Sequence, residues 1–387
     1  MIKKQCRLTK ARGLSMIYLR RVTRGFRGPR SYFAFFGLLC FFLFFLSTPV
    51  HSSTIDLPQT GQTLCYNSAG INISCFGTGQ DGDWLAGVAW PDPRFTGYLF
   101  SCIVDNLTGL MWSANPIDFS LPRVWSEAVT IPPQISPCGF ADWRLPNVNE
   151  LQSLINAEQP DNATWLIQQG FNLPSALNLI YWSSTTWADS NVNAWTVNMV
   201  DGTVLPYNKI ATYFVWPVRG ITNPSPPAVI PPAQIPVTGQ TFSYSPPSYD
   251  DGYYQAGVPW PTPRFDASGD CVTDNLTGLM WLKNANLNGA KTWSNALIYT
   301  KNLTDCGYVD WRLPNSKELF SLTDRSQLGP ALPDPNPFTS VRFGTTDAYW
   351  ASTTYAETPI SPFAWTIEMQ RGSLMPLLPQ RAYFIVW

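Results

Sequence analysis

Histidine is nearly absent from this sequence, since His51 is the only one among 387 residues. Imidazole is the side chain that proteins use most often as a general base, in catalytic triads and as a metal ligand. Charged residues are also few, at 13%, and the glycines of residues 77–83 do not fit the strand–loop–helix pattern of a phosphate-binding loop. These absences disfavour triad enzymes, metal-dependent hydrolases and nucleotide-binding enzymes.

The first 52 residues differ in composition from the rest of the chain. They contain ten Lys or Arg residues and no acid, and an apolar run of 14 residues occupies positions 33–46. Val50 and Ser52 follow as small residues, so the pattern predicts a signal peptide over residues 1–52. The chain is then exported, to the periplasm, the outer surface or the medium. The run is shorter than the roughly 20 residues of a spanning helix, and an uncleaved membrane anchor is the alternative.

The chain after the signal peptide is acidic. Ten of the 25 Lys and Arg residues lie in the first 52 positions, which leaves fifteen against 26 Asp and Glu. Proteins that bind nucleic acids or heparin-like polymers rely on Lys and Arg. The charge therefore predicts no nucleic-acid partner.

A long internal repeat is the strongest feature of the sequence. DNLTGLMW occurs at residues 105–112 and 274–281, and DWRLPN at residues 142–147 and 310–315. A proline-rich stretch at residues 222–236 separates the copies, and such stretches are extended and semi-rigid. We expect one domain at residues 53–221 and a second at residues 237–387, clipped at its last strand. The two domains are expected to be spaced apart with a modest interface.

Six cysteines follow the signal peptide, an even number that is typical of disulfides in exported proteins. Cys102 and Cys138 correspond in the repeat to Cys271 and Cys306, which predicts one bridge within each copy. Cys65 and Cys75 have no counterpart in the second copy and are expected to pair with each other.

Local patterns predict an α+β fold of short helices on small antiparallel sheets. Turn residues within DNLTG predict a hairpin with strands at residues 101–105 and 110–112. Helices are expected at residues 125–130, 148–156 and 292–301. A second hairpin is expected at residues 195–199 and 204–207, and a final strand at residues 212–219.

These motifs, together with YWSST at residues 181–185, resemble a bacterial domain family named after the C-terminal domain of the Legionella collagen-like adhesin. The resemblance covers nearly all of both copies. It implies a C-type lectin-like fold and an exported binding or adhesion domain. The name-giving adhesin binds sulfated polysaccharides, which the acidic charge of this chain disfavours.

Carboxylates are the remaining candidates for catalysis. Asp142 and Glu150, with Asp310 and Glu318, lie near a helix start and are compatible with a glycosidase. The favoured interpretation is structural, with Glu150 capping its helix or pairing with Arg144, and Glu318 likewise with Arg312. No cofactor is predicted. Calcium is the alternative, with oxygen ligands from acidic and amide residues of the two copies: Asp81, Asp83, Asp105, Asn106, Asp250, Asp251, Asp274 and Asn275.

Aromatic residues are the feature most compatible with carbohydrate binding, because flat rings stack on sugars. The candidate ligand-binding residues are Arg144, Glu150, Trp182, Trp187, Trp195, Arg312, Glu318, Trp350, Tyr355 and Trp365. Core packing is the alternative for each tryptophan. The sequence thus predicts a non-enzymatic module for an extracellular glycan, whose two linked copies would raise avidity. A structural envelope protein that binds other proteins is the second hypothesis, and a carboxylate-based enzyme the third.

Overall fold

The computed structural model describes residues 2–4, 55–99, 101–115, 121–174, 179–220, 231–245, 248–356 and 363–377. The predicted signal peptide at residues 1–52 lies outside them, apart from the backbone of Ile2–Lys4. Residues 222–230 of the proline-rich stretch also lie outside the described part.

The predicted α+β class is confirmed, with short helices against small antiparallel sheets. The strands are β1 (Ile2–Lys4), β2 (Cys65–Tyr66), β3 (Asn72–Ile73), β4 (Phe95–Tyr98), β5 (Cys102–Asp105), β6 (Leu110–Ser113), β7 (Ile180–Thr186), β8 (Asn193–Asn198), β9 (Val204–Asn208), β10 (Val218–Gly220), β11 (Phe265–Ser268), β12 (Cys271–Asp274), β13 (Leu279–Leu282), β14 (Tyr349–Thr354), β15 (Ala364–Glu368) and β16 (Ser373–Leu377). The helices are α1 (Asp81–Trp84), α2 (Trp125–Thr130), α3 (Val148–Ser153), α4 (Asn162–Gln168), α5 (Asp251–Tyr254), α6 (Trp293–Lys301) and α7 (Ser316–Ser321), with 3-10 turns at Pro132–Gln134, Pro137–Gly139 and Asp305–Gly307.

Each copy contains a three-stranded meander, β4-β5-β6 in the first and β11-β12-β13 in the second. The predicted DNLTG hairpin connects β5 to β6. Its turn is held by Asp105, whose carboxylate accepts hydrogen bonds from the Leu107 amide and the Thr108 hydroxyl. Gly109 supplies the positive φ of 71° that closes the turn. The meander edge is paired with β10 in the first copy and with β1 in the second.

The predicted elements differ from the observed ones mainly at their ends. Helix α3 ends at Ser153, three residues before its predicted end. The predicted final strand at residues 212–219 is a strand only at Val218–Gly220, because Tyr213 and Phe214 make isolated bridges to other segments. Helix α4 was not predicted. It begins at an N-cap, Asp161, which accepts the Thr164 amide.

A six-stranded sheet runs across both copies in the order β14-β15-β16-β9-β8-β7. The two halves join where Leu374 of β16 lies opposite Val204 of β9. Each copy thereby covers the sheet edge of the other, which would otherwise expose unpaired backbone groups.

The segments that precede the two meanders cross between the copies. We call residues 55–90 the first arm and residues 231–260 the second arm. Gln62 of the first arm exchanges two hydrogen bonds of 2.8 Å with the backbone of Thr354 in the second copy. Gln240 of the second arm makes the same pair, at 2.9 Å, with Thr186 in the first copy. Each arm therefore bonds to the other copy, and we call the two arms exchanged.

The expectation of spaced domains with a modest interface is wrong, because both copies belong to one compact unit. Arg325 of the second copy is buried and stacks 4.6 Å from the ring centre of Trp195 in the first. Three disulfides join Cys65 to Cys75, Cys102 to Cys138 and Cys271 to Cys306, the pairing expected from the repeat.

Candidate functional site

Arg144 and Glu150 form a buried, bidentate ion pair at the start of α3. One of its two hydrogen bonds is 2.6 Å long, and the two side chains are only 10% and 2% exposed. Glu150 also accepts the Asn147 amide, while Asn147 accepts the Glu150 amide, so the pair completes a capping box. Arg312 and Glu318 repeat the arrangement at α7. Both oxygens of each glutamate are engaged within the protein.

A second carboxylate, from the arm of the other copy, interacts electrostatically with each ion pair. Asp251 of the second arm accepts hydrogen bonds from Thr238, at 2.6 Å, and from Thr185 of the first copy, at 2.7 Å. Burial raises the pKa of Asp251 to about 6, against the opposing effect of these hydroxyls and with a contribution from Glu150. Asp81 of the first arm is bound in the same way by Thr60 and Thr353, and burial raises its pKa to about 6 as well.

We expect these two aspartates to make the protein more stable in mild acid. A folded-state pKa above the unfolded value gives stability that is complete below pH 4 and is lost as the pH rises through about 6. A folded-state pKa that lies about 2 above the unfolded one corresponds to ~3 kcal/mol for a fully buried carboxyl. The unfolding free energy, measured with urea, should therefore rise from pH 7 to pH 5 in the wild type. The double variant Asp81→Asn, Asp251→Asn should lose that rise, and an identical pH dependence in both proteins would contradict the assignment.

Four of the predicted aromatic ligand residues lie in the core. Trp182, Trp195, Trp350 and Trp365 are at most 3% exposed. The indole N–H groups of Trp182 and Trp350 donate to the backbone carbonyls of Arg123 and Lys291. A ring with so little exposure cannot stack on a sugar in this conformation.

Trp187 and Tyr355 are half-buried, and both pack against the large hydrophobic core cluster. Trp187 follows β7 and lies 5.6 Å from the guanidinium of Arg371 in the second copy. Tyr355 follows β14 and packs edge-on against Trp365, with ring centres 5.4 Å apart. The ligand-binding role of these candidates stays a prediction. Among them, the structure places Arg144 beside Glu150, Arg312 beside Glu318 and Tyr355 beside Trp365.

An exposed aromatic surface lies elsewhere, on the second arm. We call the rings of Phe242, Tyr244, Tyr249, Tyr253 and Tyr254 the aromatic patch. Its rings form two contacting groups, with ring centres 4.8 Å apart for Phe242 and Tyr244 in one, and 6.4 Å for Tyr249 and Tyr253 and 5.1 Å for Tyr253 and Tyr254 in the other. Phe242 is 66% exposed and Tyr253 is 57% exposed.

Asp250 fixes the backbone of this patch. Its carboxylate accepts the amides of Tyr244 and Tyr253, which ties the loop to the first turn of α5. Tyr249 packs on a core cluster of the first copy. The patch is therefore anchored to both copies while two of its rings face solvent.

A lysine of the first copy borders the patch. Lys209 lies 3.7 Å from the ring centre of Trp125 and 5.6 Å from that of Tyr244. Its ammonium donates to the Thr186 hydroxyl at 2.8 Å. Burial lowers the pKa of Lys209 to about 8, which Asp250 partly opposes. Lys209 thus places a hydrogen-bond donor beside the aromatic rings of the patch.

The sequence carried a signal for the patch that motif reasoning missed. Five aromatic residues occur within the 13 positions 242–254. The equivalent stretch of the first arm holds the Cys65–Cys75 loop instead, and its exposed rings are Phe76, at 93%, and Trp84, at 40%. The patch lies between the repeated motifs of the second arm, so those motifs alone do not indicate it.

The carboxylates proposed as calcium ligands accept hydrogen bonds from protein donors. Asp105 and Asp274 pair with Arg94 and Arg264, and Asp83 accepts the Gly77 and Gly79 amides. Within the described ranges, no three His, Cys, Asp or Glu side chains are grouped so as to hold a metal ion. No helix in that part of the chain combines the length and apolar character needed to cross a bilayer.

Comparison with known proteins identifies a domain family. The family model of the Lcl C-terminal domain matches residues 101–219 and 270–387, which are the two copies without their arms. No curated protein matches the chain. Because the two matched stretches together span more than half of its length, the chain belongs to the Lcl C-terminal domain family and contains that domain twice.

Proposed function

We propose that this protein is an exported, non-enzymatic binding and adhesion module whose ligand is a carbohydrate bound at the aromatic patch. The observation that carries the proposal is the exposure of Phe242 and Tyr253 on an anchored loop. Exposed large apolar surfaces in a folded protein mark interaction sites. Tyrosine adds a hydroxyl that bonds to sugar hydroxyls while its ring stacks on the sugar face.

Other features support export and binding rather than catalysis. Disulfides persist in oxidising compartments outside the cytosol. The carboxylates that a glycosidase would need at α3 and α7 are held in ion pairs. The proposal includes the C-type lectin-like fold implied by the family, with which the short helices on antiparallel sheets are compatible.

The number of carbohydrate sites per chain follows from the difference between the two arms. The first arm repeats only one ring of the patch, Trp84 at the position of Tyr254. We therefore propose one carbohydrate site per chain rather than two equal ones. Avidity from the tandem copies then requires a different ligand site in the first copy.

The test is a glycan array probed with residues 53–387. Wild-type protein should bind a subset of glycans, and the variant Phe242→Ala, Tyr253→Ala should lose about fivefold to 150-fold in apparent affinity, since two stacked rings contribute roughly 0.5–1.5 kcal/mol each. Phe76→Ala is the matched control, because it removes a fully exposed ring from the other arm. A repeat with a chelator separates a calcium-dependent site from a calcium-free one.

Two results decide between this proposal and the second hypothesis. Equal binding by wild type and double variant would remove the patch as the carbohydrate site. The patch would instead be assigned to a protein ligand by two results together. The wild type would bind no glycan, and it would capture an envelope protein that the double variant fails to capture.

A further inference from the structure

A cleft lies between the two copies, away from the aromatic patch. The empty space bounded by its lining residues is about 390 Å³, which includes open solvent, and equivalent residues of the two copies face each other across it. Leu57 and Pro58 of the first arm correspond in the repeat to Ile235 and Pro236 of the second. These four residues make much of its wall apolar, which is typical of small-molecule sites.

The cleft departs from this symmetry where Gln152 corresponds to Phe320, and more sharply where Asn149 corresponds to Lys317. Asn149 of the first copy donates to the Pro236 carbonyl at 3.1 Å. The second copy has Lys317 at the equivalent position, also lining the cleft. A neutral amide on one side therefore faces a cation on the other.

Lys317 is a buried cation that forms no ion pair with an acidic side chain of the described residues. It is 5% exposed, and within the same part of the chain its ammonium makes one long hydrogen bond, 3.4 Å to the Ser153 carbonyl. Arg94 donates to the same carbonyl at 2.7 Å and has its own counter-charge in Asp105. Two cations thus converge on one neutral oxygen.

This environment disfavours the charged lysine. Burial lowers the pKa of Lys317 to about 7, and the positive charge of Arg94 adds to the effect, while Asp105 and Asp81 oppose it. A buried charge is stabilised by a partner of opposite sign. An anion in the cleft would supply that partner.

We propose that this cleft binds a small organic carboxylate, with the carboxylate on the Lys317 ammonium and an apolar chain against Leu57, Ile235 and Phe320. A single ammonium matches one negative charge and forms a short, charge-assisted hydrogen bond with it. The apolar walls favour a ligand with a hydrocarbon chain over an inorganic anion, which would leave them without contact. The site is separate from the proposed carbohydrate site and does not depend on it.

The experiment is calorimetric titration of the full chain with sodium butyrate. We expect saturable binding that weakens at least tenfold in Lys317→Asn, the residue found at this position in the first copy. Lys301→Asn, at an exposed lysine, is the matched control and should bind as the wild type does. Lys317→Met, which keeps most of the side-chain volume, serves if the asparagine variant fails to fold.

Competing ligands test the chemistry of the site. Butan-1-ol should bind at least tenfold more weakly than butyrate, because it lacks the charge. Any one of four results would overturn the proposal. They are equal binding of the alcohol, tighter binding of inorganic phosphate, undiminished butyrate binding by the charge-free variants, and no butyrate binding by the wild type.

Discussion

A chain restricted to residues 53–221, the first copy with its own arm, should form a dimer rather than a folded monomer. In the full chain the first arm contributes Gln62 and Asp81 to the second copy, at Thr354 and Thr353. The first copy has threonines at the equivalent positions, so two identical chains can exchange their arms as the two copies do. Domain exchange of identical elements is a known route to dimers.

Light scattering coupled to size-exclusion chromatography measures the outcome, with circular dichroism to monitor folding. The variant Gln62→Ala, Asp81→Ala of the same fragment is the control and should lose the dimer. A single copy that is monomeric, folded and as stable as the full chain would show that the exchanged arms are dispensable.

Glu150→Gln should destabilise the full chain by about 3–5 kcal/mol, the usual range when one partner of a buried ion pair is removed. The substitution leaves the Arg144 guanidinium buried beside a neutral amide and weakens the cap of α3. Urea denaturation at pH 7 measures the effect.

The matched control is Glu127→Gln, in the exposed pair that Glu127 forms with Arg123 at 3.8 Å. Its side chains are 40% and 52% exposed, so the expected loss is about 0–1 kcal/mol. Similar losses in the two variants would contradict the interpretation of Arg144 and Glu150 as a buried structural pair.

Local features were the predictable part of this fold. The hairpin in DNLTG and the capping role of Glu150 depend on residues within six positions of one another, and both are present. The ends of α3 and of the last strand were predicted less well, because contacts with distant segments decide them. Tyr213, for example, pairs with Arg123 rather than extending the strand.

The exchange of arms was beyond prediction for a specific reason. Asp81 could accept a hydrogen bond from Thr185 of its own copy or from Thr353 of the other, because the repeat places the same residue at both positions. Only the path of the chain selects between these pairings. The buried tryptophans were ambiguous for a related reason. Both faces of β7 and β14 are covered, so their sequences show no alternation of buried and exposed residues.

The exchanged arms also have an evolutionary consequence. While two identical chains pair through their arms, every substitution appears on both sides of the symmetry axis. Joining the copies in one gene removes this constraint, and each half is then free to acquire its own chemistry. The differences between the halves follow that logic: a disulfide loop on one arm, an aromatic patch on the other, and Lys317 opposite Asn149 in the cleft between them.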